Sequence, residues 1–187
     1  MAVKIYTRKG DDGTTGLLYG GRVAKDDVRT EVYGTLDEVV SALGVARAAG
    51  LSERGRELVV RLQRALFVAG AQLATGPENQ DKLKDGVSRV TDAMVTQAEV
   101  DIDDLLESHP LPQEFLLPGE TAPSAALDVA RAVLRRGERH AVRLELAGLL
   151  GDQVVLRFLN RASDLLYALA RYEEAELGLR AQPSRLR

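Results

Sequence analysis

Apolar residues recur at helical spacing through most of the chain beyond its first 25 residues. Alternating steps of three and four residues give each run a narrow apolar seam on one side of a helix. Five such runs predict five helices. The first helix is expected from about Asp26 to Ala49. Ser52 is the expected N-cap of the second, and the third is expected to begin near Thr91. Pro123 should lie in the first turn of the fourth, and Gly178 should end the fifth.

Narrow seams of this kind are what antiparallel helical bundles require. The pattern therefore predicts an all-α, antiparallel five-helix bundle in a single domain of residues 1–187. Within it we expect nucleotide-binding, glycine-rich loops at 1–25, the bundle at 26–178 and a tail at 179–187 that is basic and frayed from Ala181 onward. Strand signals are weak and confined to residues 3–7 and 17–19, and residues 75–88 form a polar loop.

Composition narrows the functional classes. The chain has no Cys, which excludes disulfides, thiolate nucleophiles and zinc–thiolate sites. The N-terminus has no apolar signal region, and the most apolar stretch, Leu58 to Ala74, is interrupted by Arg61 and Arg64. We therefore expect a cytoplasmic protein without a membrane span. The net charge of −3 argues against general binding of nucleic acid, so any phosphate binding should be local.

The segment Tyr6 to Gly16 holds two cations, three glycines and three threonines in eleven residues. Glycine allows backbone N–H groups to approach a ligand closely, and threonine and lysine donate to phosphate oxygens. A second cation-bearing loop, Gly20 to Asp27, follows at once, so the two predict a polyphosphate cradle. The alternative is a β-hairpin that turns at Asp12-Gly13. The chain lacks Gly-Lys-Ser/Thr and Gly-x-Gly, which excludes the common nucleotide motifs.

The fourth helix carries charged residues at the rim of its apolar seam. Three arginines follow one another at intervals of four, and such like charges destabilise a helix unless an anion neutralises them. A triphosphate or a carboxylate from a partner would do so, whereas the alternative is a solvated charged surface. The rim residues are Arg131, Arg135, Glu138 and Arg139 on the fourth helix, and Arg157, Asn160, Arg161 and Asp164 on the fifth.

The glycine-rich loops and the charged rims of the fourth and fifth helices, together with other segments, resemble the PduO-type ATP:cob(I)alamin adenosyltransferases. The matching blocks run in the family's order and cover most of the chain. They are Lys4 to Gly16, Lys25 to Asp27, Tyr33 to Glu38, Phe115 to Gly119, Arg131 to Arg139 and Phe158 to Tyr167. Gly137 departs from the Ala that relatives often have, and we interpret it as a point of close helix approach on the seam.

The resemblance implies a homotrimer of five-helix bundles with each active site between two subunits. It implies transfer of the 5′-deoxyadenosyl group of ATP to cob(I)alamin, which leaves triphosphate. Asp37 would pair with Arg131 across the subunit boundary, and Phe115 would lie at the lower face of the corrin. Arg135, Asp37, Arg131 and Phe115 are the implied catalytic group, and Phe115 and Asp164 the cobalamin contacts. The implied ATP contacts are Thr7, Arg8, Lys9, Gly10, Thr15, Gly16, Lys25, Arg135, Arg136, Glu138, Arg139 and Asn160.

Cob(I)alamin is a strong nucleophile, so the implied reaction needs positioning and charge stabilisation rather than a protein base. Mg²⁺ would travel with the ATP phosphates, and the sequence names no protein ligand for it. The implied partners are a cob(II)alamin reductase and an adenosylcobalamin-dependent mutase or dehydratase.

Two other classes of protein are alternatives to an adenosyltransferase. A di-metal carboxylate oxidase is excluded because no Glu-x-x-His occurs. A carrier that ligates cobalt through Asp-x-His-x-x-Gly is excluded too, whereas a non-catalytic ATP- or cobalamin-binding sensor stays open.

Overall fold

Five α-helices dominate the computed structural model, which describes residues 5–185. They confirm the five predicted helices, with ends that differ from the predicted ones by a few residues. The elements are β1 Thr14–Gly16, β2 Arg22–Ala24, α1 Val28–Ala48, α2 Glu53–Leu73, a 3₁₀ helix Pro77–Lys82, α3 Asp92–Ser108, α4 Ala122–Leu146 and α5 Val154–Ala175. The 3₁₀ helix occupies part of the predicted polar loop.

The helices form a bundle in which α4 packs on α1 and α5, α2 packs on α1, and α3 packs on α5. The predicted seams supply the core: Leu36, Leu66, Leu134, Leu159 and Leu166 are almost fully buried. Gly137 lies where α4 meets α1, and a Cβ there would sit 3.3 Å from Thr35 Cγ2. The expected close approach at this glycine is confirmed.

At one end of the bundle, the buried Arg29 joins three segments. Its guanidinium donates to the carbonyls of Leu73 at 3.0 Å, Thr75 at 2.8 Å and Leu149 at 2.9 Å. It thereby donates to buried carbonyls that have no helical partner at the end of α2. Burial lowers the pKa of Arg29, an effect that Asp27 and Glu78 partly oppose.

At the other end, the buried carboxylate of Glu173 on α5 closes the start of α2. It accepts from Ser52 N at 2.8 Å and from Ser52 Oγ at 2.6 Å. The same hydroxyl accepts from Gly55 N at 3.0 Å, which confirms Ser52 as the N-cap. Gly55 is tightly enclosed, because a Cβ added there would overlap the carboxylate of Glu173.

The N-terminal strands differ from the prediction. The two short strands β1 and β2 pair antiparallel, with Thr15 opposite Val23. The expected strand at 17–19 is wrong, since those residues form the connection. The part of 3–7 that is described, residues 5–7, is not a strand, and residues 3 and 4 lie outside the described range. The hairpin turns at Leu17 to Gly21 rather than at Asp12-Gly13, because Gly20 and Gly21 take φ of 115° and 87°.

The C-terminal tail also differs from the prediction in its described part. Leu116 and Pro183 form an antiparallel bridge. Leu117 N donates to Gln182 O at 2.7 Å, and Ser184 N donates to Phe115 O at 2.8 Å. The tail is therefore paired with the loop that precedes α4, and it is not frayed over residues 182–184.

Candidate active site

A cavity of about 440 Å³ opens between α4, α5 and the loop of residues 112–116. It brings together four of the predicted site residues: Phe115 from the loop, Arg131 and Arg135 from α4, and Asp164 from α5. Tyr167 and Ser163 complete the wall on the α5 side. We call these six residues the α4–α5 wall. Residues distant in sequence thus form one surface with cationic, acidic and aromatic groups.

Phe115 is exposed although it is a large apolar residue. Its side chain is 81% exposed, whereas Phe158 in the core is 2% exposed. The backbone around it is fixed by the hydrogen bonds between residues 115–117 and the tail. An aromatic ring presented to solvent on a held backbone can cover a flat apolar ligand without contributing to the core.

Arg131 is held on the wall by charged groups inside its own chain. Its Nε donates to Asp128 Oδ1 at 3.3 Å, and its guanidinium lies 5.6 Å from the centre of the Tyr167 ring. The second oxygen of Asp128 accepts from Arg171 at 2.6 Å. Asp164 pairs with Arg161 at 2.9 Å. Arg131 and Asp164 are therefore each paired with a charged residue of the same chain.

Further along α4, the predicted ATP residues divide between two neighbouring helices. Glu138 accepts from Asn160 Nδ2 of α5 at 3.2 Å. Arg136 instead forms an ion pair with Glu38 of α1. Arg139 donates to the carbonyl of Arg135 at 3.0 Å. The structure thus brings Glu138 and Asn160 together, as predicted for one site, and presents Arg136 to α1.

The remaining predicted ATP residues lie in or beside the hairpin, which we call the cradle. A Cβ on Gly10 would sit 3.3 Å from the ammonium nitrogen of Lys25 and 3.2 Å from Thr14 O, so Lys25 lies directly against this glycine. Lys25 N also donates to Gly13 O at 2.9 Å. Arg8 has a φ of 61°, which is unusual for a residue other than glycine. The side chains of Thr7, Arg8, Lys9 and Lys25 are exposed.

Arg22 shapes the cradle and was not among the predicted site residues. Its guanidinium donates to Lys9 O and, through Nε at 3.0 Å, to Thr14 Oγ1. Asp12 accepts from Thr14 N at 3.0 Å and from Thr14 Oγ1 at 2.8 Å. These hydrogen bonds lower the pKa of Asp12, with the bond from the Thr14 backbone contributing most, and the charge of Arg22 lowers it further. The position of Arg22 directly after a Gly-Gly turn was the available signal.

Within one chain, the cradle and the α4–α5 wall lie toward opposite ends of the bundle. The hairpin is joined to the end of α2 through Leu18 N and Ala74 O at 2.9 Å, whereas Phe115 precedes the start of α4. α4 has 25 residues, or about 37 Å at the α-helical rise. The structure therefore assembles most of the predicted residues into two clusters, the cradle and the α4–α5 wall, whereas Arg136, Glu138, Arg139 and Asn160 lie outside both.

Asp37 belongs to neither cluster. It lines a largely apolar cavity of about 470 Å³ between α1 and α2, together with Leu18, Tyr33 and Phe67. Phe67 is 64% exposed there. Within residues 5–185, the side chain of Asp37 makes no ion pair or hydrogen bond, and Arg131 makes its ion pair with Asp128. The predicted Asp37–Arg131 pair is thus not a contact inside one chain.

Over residues 5–185, no helix is both long enough and apolar enough to cross a membrane. The same range contains no group of three or more His, Cys, Asp or Glu side chains arranged to hold a metal ion.

Comparison with known proteins identifies the family. The family model described as cobalamin adenosyltransferase matches residues 5–173. A corrinoid adenosyltransferase of Citrobacter freundii is 41% identical over 172 residues, which cover 91% of this chain and 95% of the relative. A corrinoid adenosyltransferase of Bacillus subtilis is 37% identical over 182 residues, covering 95% of this chain and 90% of the relative.

Solved structures agree with the sequence relatives. A phenylalanine-to-alanine variant of the PduO-type ATP:corrinoid adenosyltransferase from Lactobacillus reuteri, complexed with cobalamin and ATP, superposes with a TM-score of 0.87. It is 31% identical, and the match covers 98% of this chain and all of the other. The family model and the relatives therefore place this helical bundle among the corrinoid adenosyltransferases. The chain belongs to the cobalamin adenosyltransferase family.

Proposed function

We propose that this protein transfers the 5′-deoxyadenosyl group of ATP to cob(I)alamin and releases adenosylcobalamin and triphosphate. In this reaction the cobalt electron pair forms the bond to C5′ of the ribose. The bond from C5′ to the triphosphate oxygen breaks, and its electrons leave with triphosphate. The observation that carries the proposal is the cavity in which the exposed Phe115 meets Arg131, Arg135 and Asp164, in a chain that matches this family over most of its length.

On the corrin side, Phe115 is proposed to cover the lower face of the cobalt. Its high exposure and its held backbone suit a ring that packs against a flat ligand. An apolar ring at that face would exclude the lower axial ligand, which makes reduction of cob(II)alamin to the nucleophile easier. Asp164, paired with Arg161, lines the same cavity and would contact the corrin edge.

On the nucleotide side, the cradle and the arginines of α4 are proposed to hold ATP. Lysine and arginine donate charge-assisted hydrogen bonds to phosphate oxygens, and arginine can do so in bidentate fashion. Mg²⁺ would enter with the phosphates, where it usually keeps several of its waters. The proposed contacts are Thr7, Arg8, Lys9, Gly10, Thr15, Gly16, Lys25, Arg135, Arg136, Glu138, Arg139 and Asn160.

Assembly into a homotrimer would join the two clusters. In one chain the cradle and the α4–α5 wall are separated, and Asp37 lies apart from Arg131. The apolar surface around Asp37, with the exposed Phe67, is suited to burial against a second copy. We propose that the active site lies between two subunits, with Asp37 of one paired with Arg131 of the other.

The proposed partners follow from the chemistry of the substrate and product. Cob(I)alamin requires a cob(II)alamin reductase, and adenosylcobalamin is consumed by a mutase or a dehydratase. No role with nucleic acid or membranes is proposed.

Anaerobic incubation with ATP, Mg²⁺ and chemically reduced cobalamin tests the function. We expect the light-sensitive spectrum of an alkylcobalamin and release of triphosphate in equal amount. Binding of both substrates without triphosphate release would instead support the alternative, a non-catalytic sensor.

The subunit arrangement has its own test in a double-mutant cycle. Asp37→Ala and Arg131→Ala should each lower activity, and their effects should be strongly non-additive because each removes the same pair. Measured molecular mass in solution should correspond to three chains. Full additivity, or a monomeric active enzyme, would contradict the arrangement.

A further inference from the structure

We propose that Asp128 and Arg171 are positioning residues that fix Arg131 and Tyr167 on the wall of the cobalamin cavity. The inference rests on the proposed function, because it concerns how the wall is kept in place for that ligand. Neither Asp128 nor Arg171 lines the cavity beside Phe115. They act from behind it, through the two residues that do.

The network lies inside the protein. The side chains of Arg171, Asp128 and Glu174 are only 7%, 6% and 2% exposed. Arg171 donates to both oxygens of Glu174, at 2.7 and 2.8 Å, and to Asp128 at 2.6 Å. Buried charges persist only when they are paired and hydrogen-bonded, so these three side chains have little freedom to move.

Asp128 transmits this order to the cavity because its two oxygens serve different arginines. Oδ2 accepts from the buried Arg171, while Oδ1 accepts from Arg131 Nε at 3.3 Å. The terminal nitrogens of Arg131 have no hydrogen-bond partner within residues 5–185. Arg131 is thus held by its inner nitrogen, and its outer nitrogens stay available to a ligand or to a carboxylate from another subunit.

Tyr167 is fixed by the same pair of arginines. The guanidinium of Arg131 lies 5.6 Å from the centre of its ring, and that of Arg171 lies 5.4 Å from it. A cation within about 6 Å of an aromatic ring is attracted to its π-system. Tyr167 therefore links the cavity wall to the buried network a second time, independently of Asp128.

If the network served stability alone, breaking it would lower the melting temperature without a specific loss of kcat/KM for cobalamin. If it positions Arg131, breaking it should lower kcat/KM through Arg131. The variants are Asp128→Asn, which keeps the shape but removes the charge, Arg131→Met, and the double variant. Each is assayed for kcat, for KM of reduced cobalamin, for ATP affinity and for melting temperature. Asp128→Asn should reduce kcat/KM for cobalamin by about tenfold, the size of one charge-assisted hydrogen bond.

The decisive comparison is the double-mutant cycle of Asp128→Asn and Arg131→Met. In the Arg131→Met background, Asp128→Asn should change kcat/KM by less than about twofold, because its effect passes through Arg131. Its effect on melting temperature should persist in both backgrounds, because the bond from Arg171 to Asp128 is present in each, and ATP affinity should change little. An unchanged kcat/KM in Asp128→Asn, or losses that multiply in the double variant, would overturn the proposal. The activity of the unmodified chain tests the proposed function separately.

A second variant keeps the test valid if Asp128→Asn fails to fold. Arg171→Lys retains the charge but cannot reach Glu174 and Asp128 together as the guanidinium does. It should lower kcat/KM for cobalamin more in the native background than in Arg131→Met, where only the contact of residue 171 with Tyr167 remains. Equal losses in both backgrounds would likewise contradict positioning.

Discussion

The α4–α5 wall and the cradle are each braced by an arginine, and the two braces differ in burial. Arg171 is 7% exposed and pairs with Asp128 and Glu174, which are buried as well. Arg22 is 44% exposed at its side chain and donates to Lys9 O and Thr14 Oγ1 in an exposed hairpin. The first brace belongs to the folded core, whereas the second only shapes a loop.

This difference indicates where stability and function are joined. A change in the wall's support leaves buried charges without partners, which costs folding free energy. A change in the cradle affects groups that water can solvate, so folding should tolerate it. The predicted ATP contacts of the cradle can thus be removed with little loss of stability, whereas loss of the support behind the α4–α5 wall should destabilise the fold.

The sharpest test of this difference, and the largest expected effect, compares Arg171→Ala with Arg22→Ala. Breaking the buried network should lower the free energy of unfolding by about 3–5 kcal/mol. The exposed brace should cost about 1 kcal/mol or less. Urea denaturation followed by far-UV circular dichroism measures both. Similar losses in the two variants would mean that burial does not separate the two regions.

Next in size is the effect of Lys25→Ala or Lys9→Ala on ATP affinity. Each removes an exposed cation from the cradle, and a charge-assisted hydrogen bond contributes about 1.5–3 kcal/mol, so affinity should fall at least about tenfold. The melting temperature should hold. Lys84→Ala is the matched control, because Lys84 is an exposed lysine outside the cradle. Calorimetric titration with ATP would refute the role if both cradle variants bound like the control.

A smaller effect on stability, but a specific one on turnover, is expected for Phe115→Ala. Truncation of a buried Phe typically costs about 3–5 kcal/mol, yet Phe115 is 81% exposed, so the melting temperature should change little. Turnover should fall most when the reaction starts from cob(II)alamin and less from chemically reduced cob(I)alamin.

The control for Phe115→Ala is Leu146→Ala, which truncates an apolar side chain that is 83% exposed at the end of α4. It should leave both rates unchanged. Equal losses from the two cobalt states, together with a large drop in melting temperature, would assign Phe115 to the fold instead.

The smallest expected effect concerns pH and Asp12. Hydrogen bonds from Thr14 lower the pKa of Asp12 below its ordinary value of 3.8 in the folded hairpin. The stabilisation is therefore present above the unfolded pKa and is lost as pH falls through the lower folded pKa. The native chain should melt above Asp12→Asn at about pH 5 and higher, and the difference should shrink as pH falls below about 4. Curves that stay parallel would show that Asp12 contributes nothing to the cradle's order.

The sequence predicts features that depend on neighbouring residues better than features that depend on residues far apart in the chain. Helical periodicity is a local signal, and it placed Ser52 and Thr91 at the starts of α2 and α3. The strand Thr14–Gly16 has no alternation of apolar residues, because neither of its sides is part of the core. Its form comes from the glycine turn and from Arg22, and a search for apolar runs therefore selected the wrong residues.

Distant pairings were also beyond the sequence pattern. Asp128 and Arg171 are 43 residues apart, and the whole of α4 and α5 separates Phe115 from Ser184, which donates to its carbonyl. Neither pairing has a periodic signature. By contrast, the clustering of Phe115, Arg131, Arg135 and Asp164 was expected from the family resemblance, and the cavity contains all four. Their roles, like the pairing of Asp37 with Arg131, stay predictions.

The contact between Gly55 and Glu173 constrains how the chain can change over generations. A side chain at position 55 would displace a carboxylate that closes the start of α2 through Ser52. Loss of the carboxylate first would relieve the overlap but leave the N-terminus of α2 without its acceptor. We therefore expect the two positions to change together, because a lineage that replaces only one of them would pass through a less stable ancestor.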